Sequence, residues 1–264
     1  MSGGLLSYGD SRPAIKPLNP AKAAENGLFA AQLAANGMRG PEEALEGPNG
    51  WFHAVTDEVH EEYLRGSDHL LLHDCYFKLY PSCRHTHCGI DAAVALHGKV
   101  KPEEIEKVRV VIYPSAIKLA GLRIPKDADE TKFSINYTLA TALLQGSYGT
   151  DDMDPPHLTP EVLRLIEKTE LVPDDSMEDR VRKIRGTRVE ILKKNGETIS
   201  ETVLVPKGDP ERPLTRSDII EKLRVCAKGQ AEEDTLNELV RRIEAIGGGK
   251  SFRYPAEVLL GGGK

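Results

Sequence analysis

Hydrophobic and polar positions along the chain change period several times, and each change marks an element. Ala21 to Asn36 is an alanine-rich helical pattern closed by Gly37, a good C-terminal stop, after a Gly/Pro-rich segment that runs through Pro20. Its small-residue face implies close helix packing. Gly47 to Gly50 reads as a turn and Val55 to Leu64 as a short amphipathic helix. A helix is predicted from Thr86 or His87 through Leu96, with Ile90, Ala93, Val94 and His97 at helical spacing. Residues 107–113 alternate and are rich in β-branched side chains, which predicts a strand. Lys132 to Gln145, ended by Gly146, has the length of a mostly buried helix, and Pro160 to Thr169 is another, with Thr159 as N-cap. Arg188–Lys194 and Thr198–Val205 flank Asn195-Gly196 and predict a β-hairpin. Two helices close the chain: one capped by Ser217 and running to about Lys228, and one over Glu232 to Ile246 with Leu236, Leu239, Val240 and Ile243 on one stripe. Helices, then strands mixed with helices, then helices again describe an α+β architecture in two parts.

Composition narrows the function. A chain of 264 residues and 29.0 kDa with 39% hydrophobic content can bury a substantial core. The formal charge of −6 and the absence of a basic block argue against nucleic acid as a partner. Four cysteines, with no signal peptide and no apolar run of membrane-spanning length, point to free thiols in a reducing cytoplasm and not to a membrane.

Chemistry concentrates between Lys78 and Cys88, where two cations, two histidines and two cysteines precede a helix. Backbone N–H groups in a first helical turn, with the helix dipole, favour a bound carboxylate, and Lys78 and Arg84 reinforce that field. A metal site at Cys83-x-His85-x-His87-Cys88 is disfavoured, because histidines two apart on a helix diverge and no second Cys/His pair completes four ligands. The acidic cluster Asp151-Asp152-Met153-Asp154 lacks the glycine and terminal glutamate of a calcium loop, and no phosphate-cradling glycine loop is present. No cofactor is expected.

Lys78-x-Tyr80-Pro81-x-Cys83-x-x-x-His87-x-x-Ile90-Asp91-Ala92 resembles the segment that opens the smaller domain of MmgE/PrpD proteins, which include 2-methylcitrate dehydratase, cis-aconitate decarboxylase and iminodisuccinate epimerase. Ile15 to Gly27, Thr131 to Tyr137 and Lys207 to Thr215 are similar to three further family stretches, in the family's order. The resemblance covers nearly the whole chain but only about the C-terminal half of the family pattern. It implies a partial helical domain (1–73), an α+β lid (74–207) and C-terminal helices returning to the helical domain (208–264). It also implies a partner: a separate chain carrying the N-terminal helical half, or a homo-oligomer.

By the same resemblance Lys78 and Lys16 contact substrate carboxylates, although Asn19 stands where the family usually has histidine. Cys83 occupies the place of an active-site histidine in some members, His87 fits the motif's histidine and Tyr137 the family's active-site tyrosine. Arg84 is a candidate carboxylate clamp. The reaction implied is proton abstraction next to a carboxylate in a small di- or tricarboxylic acid, with 2-methylcitrate-like dehydration leading. Lys78, Lys16 and Arg84 would absorb developing charge, and His87 and Tyr137 would move protons. Decarboxylation and epimerisation are alternatives, as is a non-catalytic subunit that binds an acidic metabolite.

Overall fold

β-Branched residues at alternate positions set the centre of the molecule. In the computed structural model, which describes residues 17–60, 70–153 and 156–248, Ile105–Ile112 forms β1 and lies inside a four-stranded sheet. The strand order is β2 (Thr169–Pro173), β1, β5 (Thr187–Lys193), β6 (Thr198–Val203). β1 pairs with β2 in parallel and with β5 antiparallel, with Val110 opposite both Leu171 and Val189. Between β1 and β2 the chain makes a helical crossover through α4 (Pro114–Ala120), α5 (Ala128–Thr131), α6 (Ile135–Gln145) and α7 (Pro160–Lys168), as a parallel pairing requires. A two-stranded ribbon, β3 (Glu178–Asp179) with β4 (Ile184–Arg185), precedes the main hairpin.

One face of the sheet is apolar and covered. Val108, Val110, Val189 and Ile191 are fully buried together with Ile90 and Leu96 of α3 (His87–Leu96) and Leu139 of α6. On β1 the exposed positions carry charge, and Arg109 pairs with Glu190 of β5 at 2.8 Å in direct register. Cross-strand pairs of this kind add tenths of a kcal/mol each; the buried face supplies most of the stability.

α6 begins at Ser134, whose hydroxyl accepts the Tyr137 amide, and ends at Gly146 in the left-handed region. Thr159 caps α7 as its sequence predicts. The Asn195-Gly196 turn joins β5 to β6, with Gly196 at φ +85°. Three expectations change. Of the helix expected over Val55–Leu64, Thr56 to His60 are not helical, the helix there being α2 (Trp51–Val55), and residues 61–64 lie outside the described residues. Thr215 rather than Ser217 caps α8 (Arg216–Ala227), because its hydroxyl and amide both bond the Asp218 carboxylate in a capping box. Thr169, expected as the end of a helix, opens β2.

The chain divides into two compact units, 1–74 and 75–264. The first contains α1 (Leu18–Ala35), none of whose residues is buried, so the close packing expected of its alanine face is not formed among the described residues of that unit. The second contains the sheet, its helices, α8 and α9 (Glu233–Glu244), with Leu236 and Leu239 of α9 buried.

Candidate functional site

Three of the sequence stretches singled out above converge on the start of α3. Cys83 anchors the first to the second: its amide donates to the carbonyl of Lys132 at 2.8 Å. Asp91 anchors the first to the third. Its carboxylate accepts the Tyr80 hydroxyl (2.6 Å), the Lys207 amide (2.8 Å) and the Arg212 guanidinium (2.9 Å). Gly208 completes the clasp, donating to the Arg212 carbonyl while its own carbonyl accepts the Phe77 amide, both at 2.8 Å. At φ +97°, with the Phe77 carbonyl 2.2 Å from where a Cβ would sit, this position requires glycine.

The helical path begins earlier than expected. A 3₁₀ turn, Arg84–Thr86, runs directly into α3, so the positive end of the helix lies at Arg84 and His85 rather than at His87. Thr86 bridges the turn by bonding the Ser82 hydroxyl (2.7 Å) and donating to the Cys83 carbonyl (3.0 Å). His85 Nδ1 meets the Tyr113 hydroxyl at 2.5 Å.

His87 is buried, 1% exposed, and its ring stands edge-on to Tyr80 with centroids 5.3 Å apart. Its Nε2 is buried with no hydrogen-bond partner among the described residues. Burial, and then the positive charges of Arg84, Lys78 and Lys222, push its pKa down to about 3. The imidazole is therefore neutral at pH 7 and sits in a cationic field. An incoming carboxylate would cancel part of that field.

The cations differ in how they are held. Arg84 pairs with Asp209 at 2.6 Å and lies 4.6 Å above the Tyr76 ring, but its Nη1 is buried without a hydrogen-bond partner among the described residues. Lys78 is exposed and its ammonium donates to the Ser82 carbonyl at 3.1 Å. Lys222, on α8, donates to the Lys78 carbonyl. Composition offered no signal for Lys222, because 144 positions separate it from Lys78. Cys83 is half-buried beside this cluster. Lys16 lies outside the described residues.

Tyr137 has a different setting. Its buried hydroxyl donates to the Asp152 carbonyl (2.5 Å) and accepts the His157 amide (2.9 Å), and burial raises its pKa. The phenol thus fastens the segment that follows α6. Asn136, beside it, donates to the Leu122 carbonyl at 3.2 Å. Among the described residues no three His, Cys, Asp or Glu side chains converge to hold a metal ion, and no helix is long and apolar enough to cross a membrane.

The chain is 27% identical over 246 residues to human cis-aconitate decarboxylase, covering 88% of this chain and 50% of that protein, and 26% identical to the mouse enzyme, covering 88% and 49%. A cis-aconitate decarboxylase-like protein, oryM, of Aspergillus oryzae is 25% identical over 273 residues, covering 93% of this chain and 54% of that protein. The chain thus spans about half the length of the curated relatives it matches. Residues 80–245 match the MmgE/PrpD C-terminal domain and residues 1–63 the MmgE/PrpD N-terminal domain. The expected restriction to the C-terminal half is corrected in that respect, since both domains are represented. With the motif-bearing second unit matched almost throughout, the chain belongs to the MmgE/PrpD family.

Proposed function

We propose that this chain forms the lid side of a lyase acting on a small di- or tricarboxylic acid without a cofactor. The observation that carries the reading is His87 Nε2, buried and unpaired, within the field of Lys78, Arg84 and Lys222 at the head of α3. Substrate carboxylates would bind Lys78 and Nη1 of Arg84, which has no hydrogen-bond partner among the described residues. Charge that develops on a carboxylate as the adjacent carbon is deprotonated would be absorbed by those cations. The electron pair left by the C–H bond then forms a double bond as water leaves. In the carboxy-lyase alternative the pair comes from the broken C–C bond and takes up a proton as carbon dioxide leaves.

Similarity to cis-aconitate decarboxylases favours the carboxy-lyase over 2-methylcitrate-like dehydration. His87, neutral at pH 7, would serve as a hydrogen-bond partner of the substrate in the free state. It would gain basicity only when bound carboxylates offset the surrounding cations. A helical partner surface, from a separate chain or a second copy, would supply the remaining acid and base groups. The unburied helix α1 is consistent with such a surface.

Calorimetric titration with tricarballylate, a tricarboxylate lacking a leaving group, tests the reading. Binding should be saturable and weaken at least about tenfold in Lys78→Ala. Equal affinity in the variant would remove Lys78 from the site. Incubation with cis-aconitate and with 2-methylcitrate, with products resolved by NMR, then distinguishes loss of carbon dioxide from loss of water.

A further inference from the structure

α8 and α9 stand apart from the rest of the second unit. No residue of α8 is buried, and its Ile219 and Val225 are exposed. α9 lies against α8 and buries Leu236 and Leu239, but among the described residues no side chain of either helix belongs to the main apolar core or packs against it. Ion pairs join the two helices, Arg216 with Glu244 and Arg224 with Glu233. They form a hairpin of their own. Lysines tie this hairpin to the body: Lys207, whose amide is fixed by Asp91, pairs with Asp218 at 2.5 Å, Lys228 pairs with Asp151 at 2.6 Å, and Lys222 donates to the Lys78 carbonyl. Ion pairs in contact with water stabilise little and weaken with salt. Between α8 and the body lies a cavity of about 400 Å³, with Leu79, Pro81 and Val94 on the body side and Val225 on the helix. An element held by polar ties across an unfilled apolar cavity opens at low free energy.

We propose that the α8–α9 hairpin is a strap that opens and closes beside the head of α3, and that Lys222 is the residue through which a bound carboxylate holds it shut. The inference rests on the carboxylate site of the proposed lyase. In the free protein the Lys222 ammonium donates to a neutral carbonyl, that of Lys78. A carboxylate on Lys78 offers it a charged acceptor instead, and hydrogen bonds between charged groups are the stronger kind. Binding therefore favours the closed hairpin, and by reciprocity the closed hairpin favours binding. Opening withdraws Lys222 from the cationic field around His87 and lets product leave.

Hydrogen exchange of the whole chain, followed by mass spectrometry, tests the strap. At low salt the amides of α8 and α9 should exchange at least about tenfold faster than those of α3. Raising salt from about 20 mM to about 500 mM should speed them about threefold more and leave α3 unchanged. Saturating tricarballylate at low salt should slow α8 at least about threefold. In Lys222→Gln that slowing should vanish, while calorimetry still shows tricarballylate bound with an affinity within about tenfold of the native chain's. Protection of α8 equal to that of α3, exchange insensitive to salt, or slowing that survives in Lys222→Gln overturns the proposal. Complete loss of binding in that variant also overturns it, because Lys222 would then be an anchor of the ligand and not a latch on the hairpin. Absence of tricarballylate binding to the native chain removes the carboxylate site and the ligand-held closure with it, whereas binding that leaves α8 exchange unchanged removes the strap alone.

Discussion

Asp91 and Arg212 stand 121 positions apart and meet at 2.9 Å, with the carboxylate side chain 6% exposed and the guanidinium 51% exposed. This asymmetry predicts unequal costs. Asp91→Ala leaves the Tyr80 hydroxyl, the Lys207 amide and Arg212 without their shared acceptor, and should lower unfolding stability by about 3–5 kcal/mol. Arg212→Ala leaves Asp91 with two donors and should cost about 1 kcal/mol. Urea denaturation of both variants measures the ratio; equal losses would contradict the clasp.

His87 makes stability depend on acid. Its folded pKa, near 3, lies below the ordinary histidine value of about 6.5. Below pH 6.5 the unfolded chain binds a proton that the folded chain refuses, so stability falls as pH drops from 6.5 toward 3. The contribution lost by pH 4 is on the order of 3 kcal/mol. His87→Gln removes the titrating ring, and its stability should change less between pH 7 and pH 4 than that of the native chain. An equal loss of stability between pH 7 and pH 4 in the variant and the native chain, read from urea midpoints, would exclude this assignment.

Substitution at Gly208 should act at a distance. Gly208→Ala places a methyl against the Phe77 carbonyl in a left-handed conformation, and the expected loss is about 1–3 kcal/mol. Because Phe77 adjoins Lys78, tricarballylate affinity should fall as well. Thermal melts followed by calorimetry would show both effects or neither.

Three of the four thiols should separate by reactivity. Cys75 and Cys226 are exposed, whereas Cys88 is 1% exposed, donates to the Arg185 carbonyl at 3.2 Å and has its pKa pushed up to about 12 by burial. Ellman's reagent should modify the two exposed cysteines rapidly in the folded protein and Cys88 only after denaturation. Mass mapping of the modified peptides provides the check.

Tyr137→Phe distinguishes a fastener from a proton donor. Loss of its hydroxyl should cost about 1–2 kcal/mol and speed hydrogen exchange at the His157 amide. A large fall in turnover with unchanged exchange would instead assign the phenol to chemistry.

Local signals in the chain translated directly into structure where one residue decides the geometry. Gly146, Thr159 with Pro160, and Asn195-Gly196 each mark a boundary that the fold observes. Thr215 and Ser217 are both competent caps, and the choice fell to Asp218, three residues beyond Thr215, which closes the box. β2 escaped notice because Thr169–Pro173 is short, ends in proline and follows α7 without a break; parallel pairing with β1 defines it. Within the candidate site, the family motif placed Lys78, Arg84 and His87 in one neighbourhood. Asp91's hold on Lys207 and Arg212 and the arrival of Lys222 depend on contacts across more than a hundred residues, which no local pattern encodes.

The β5–β6 hairpin ends in a solvent-facing turn in which Gly196 has nothing within 4 Å of a would-be Cβ, and β6 borders the sheet with no strand beyond it among the described residues. An epitope or fluorophore-bearing peptide spliced between Asn195 and Gly196 would extend into water without meeting a neighbour. That turn therefore gives a handle for immobilising or visualising the protein while every group discussed above stays untouched.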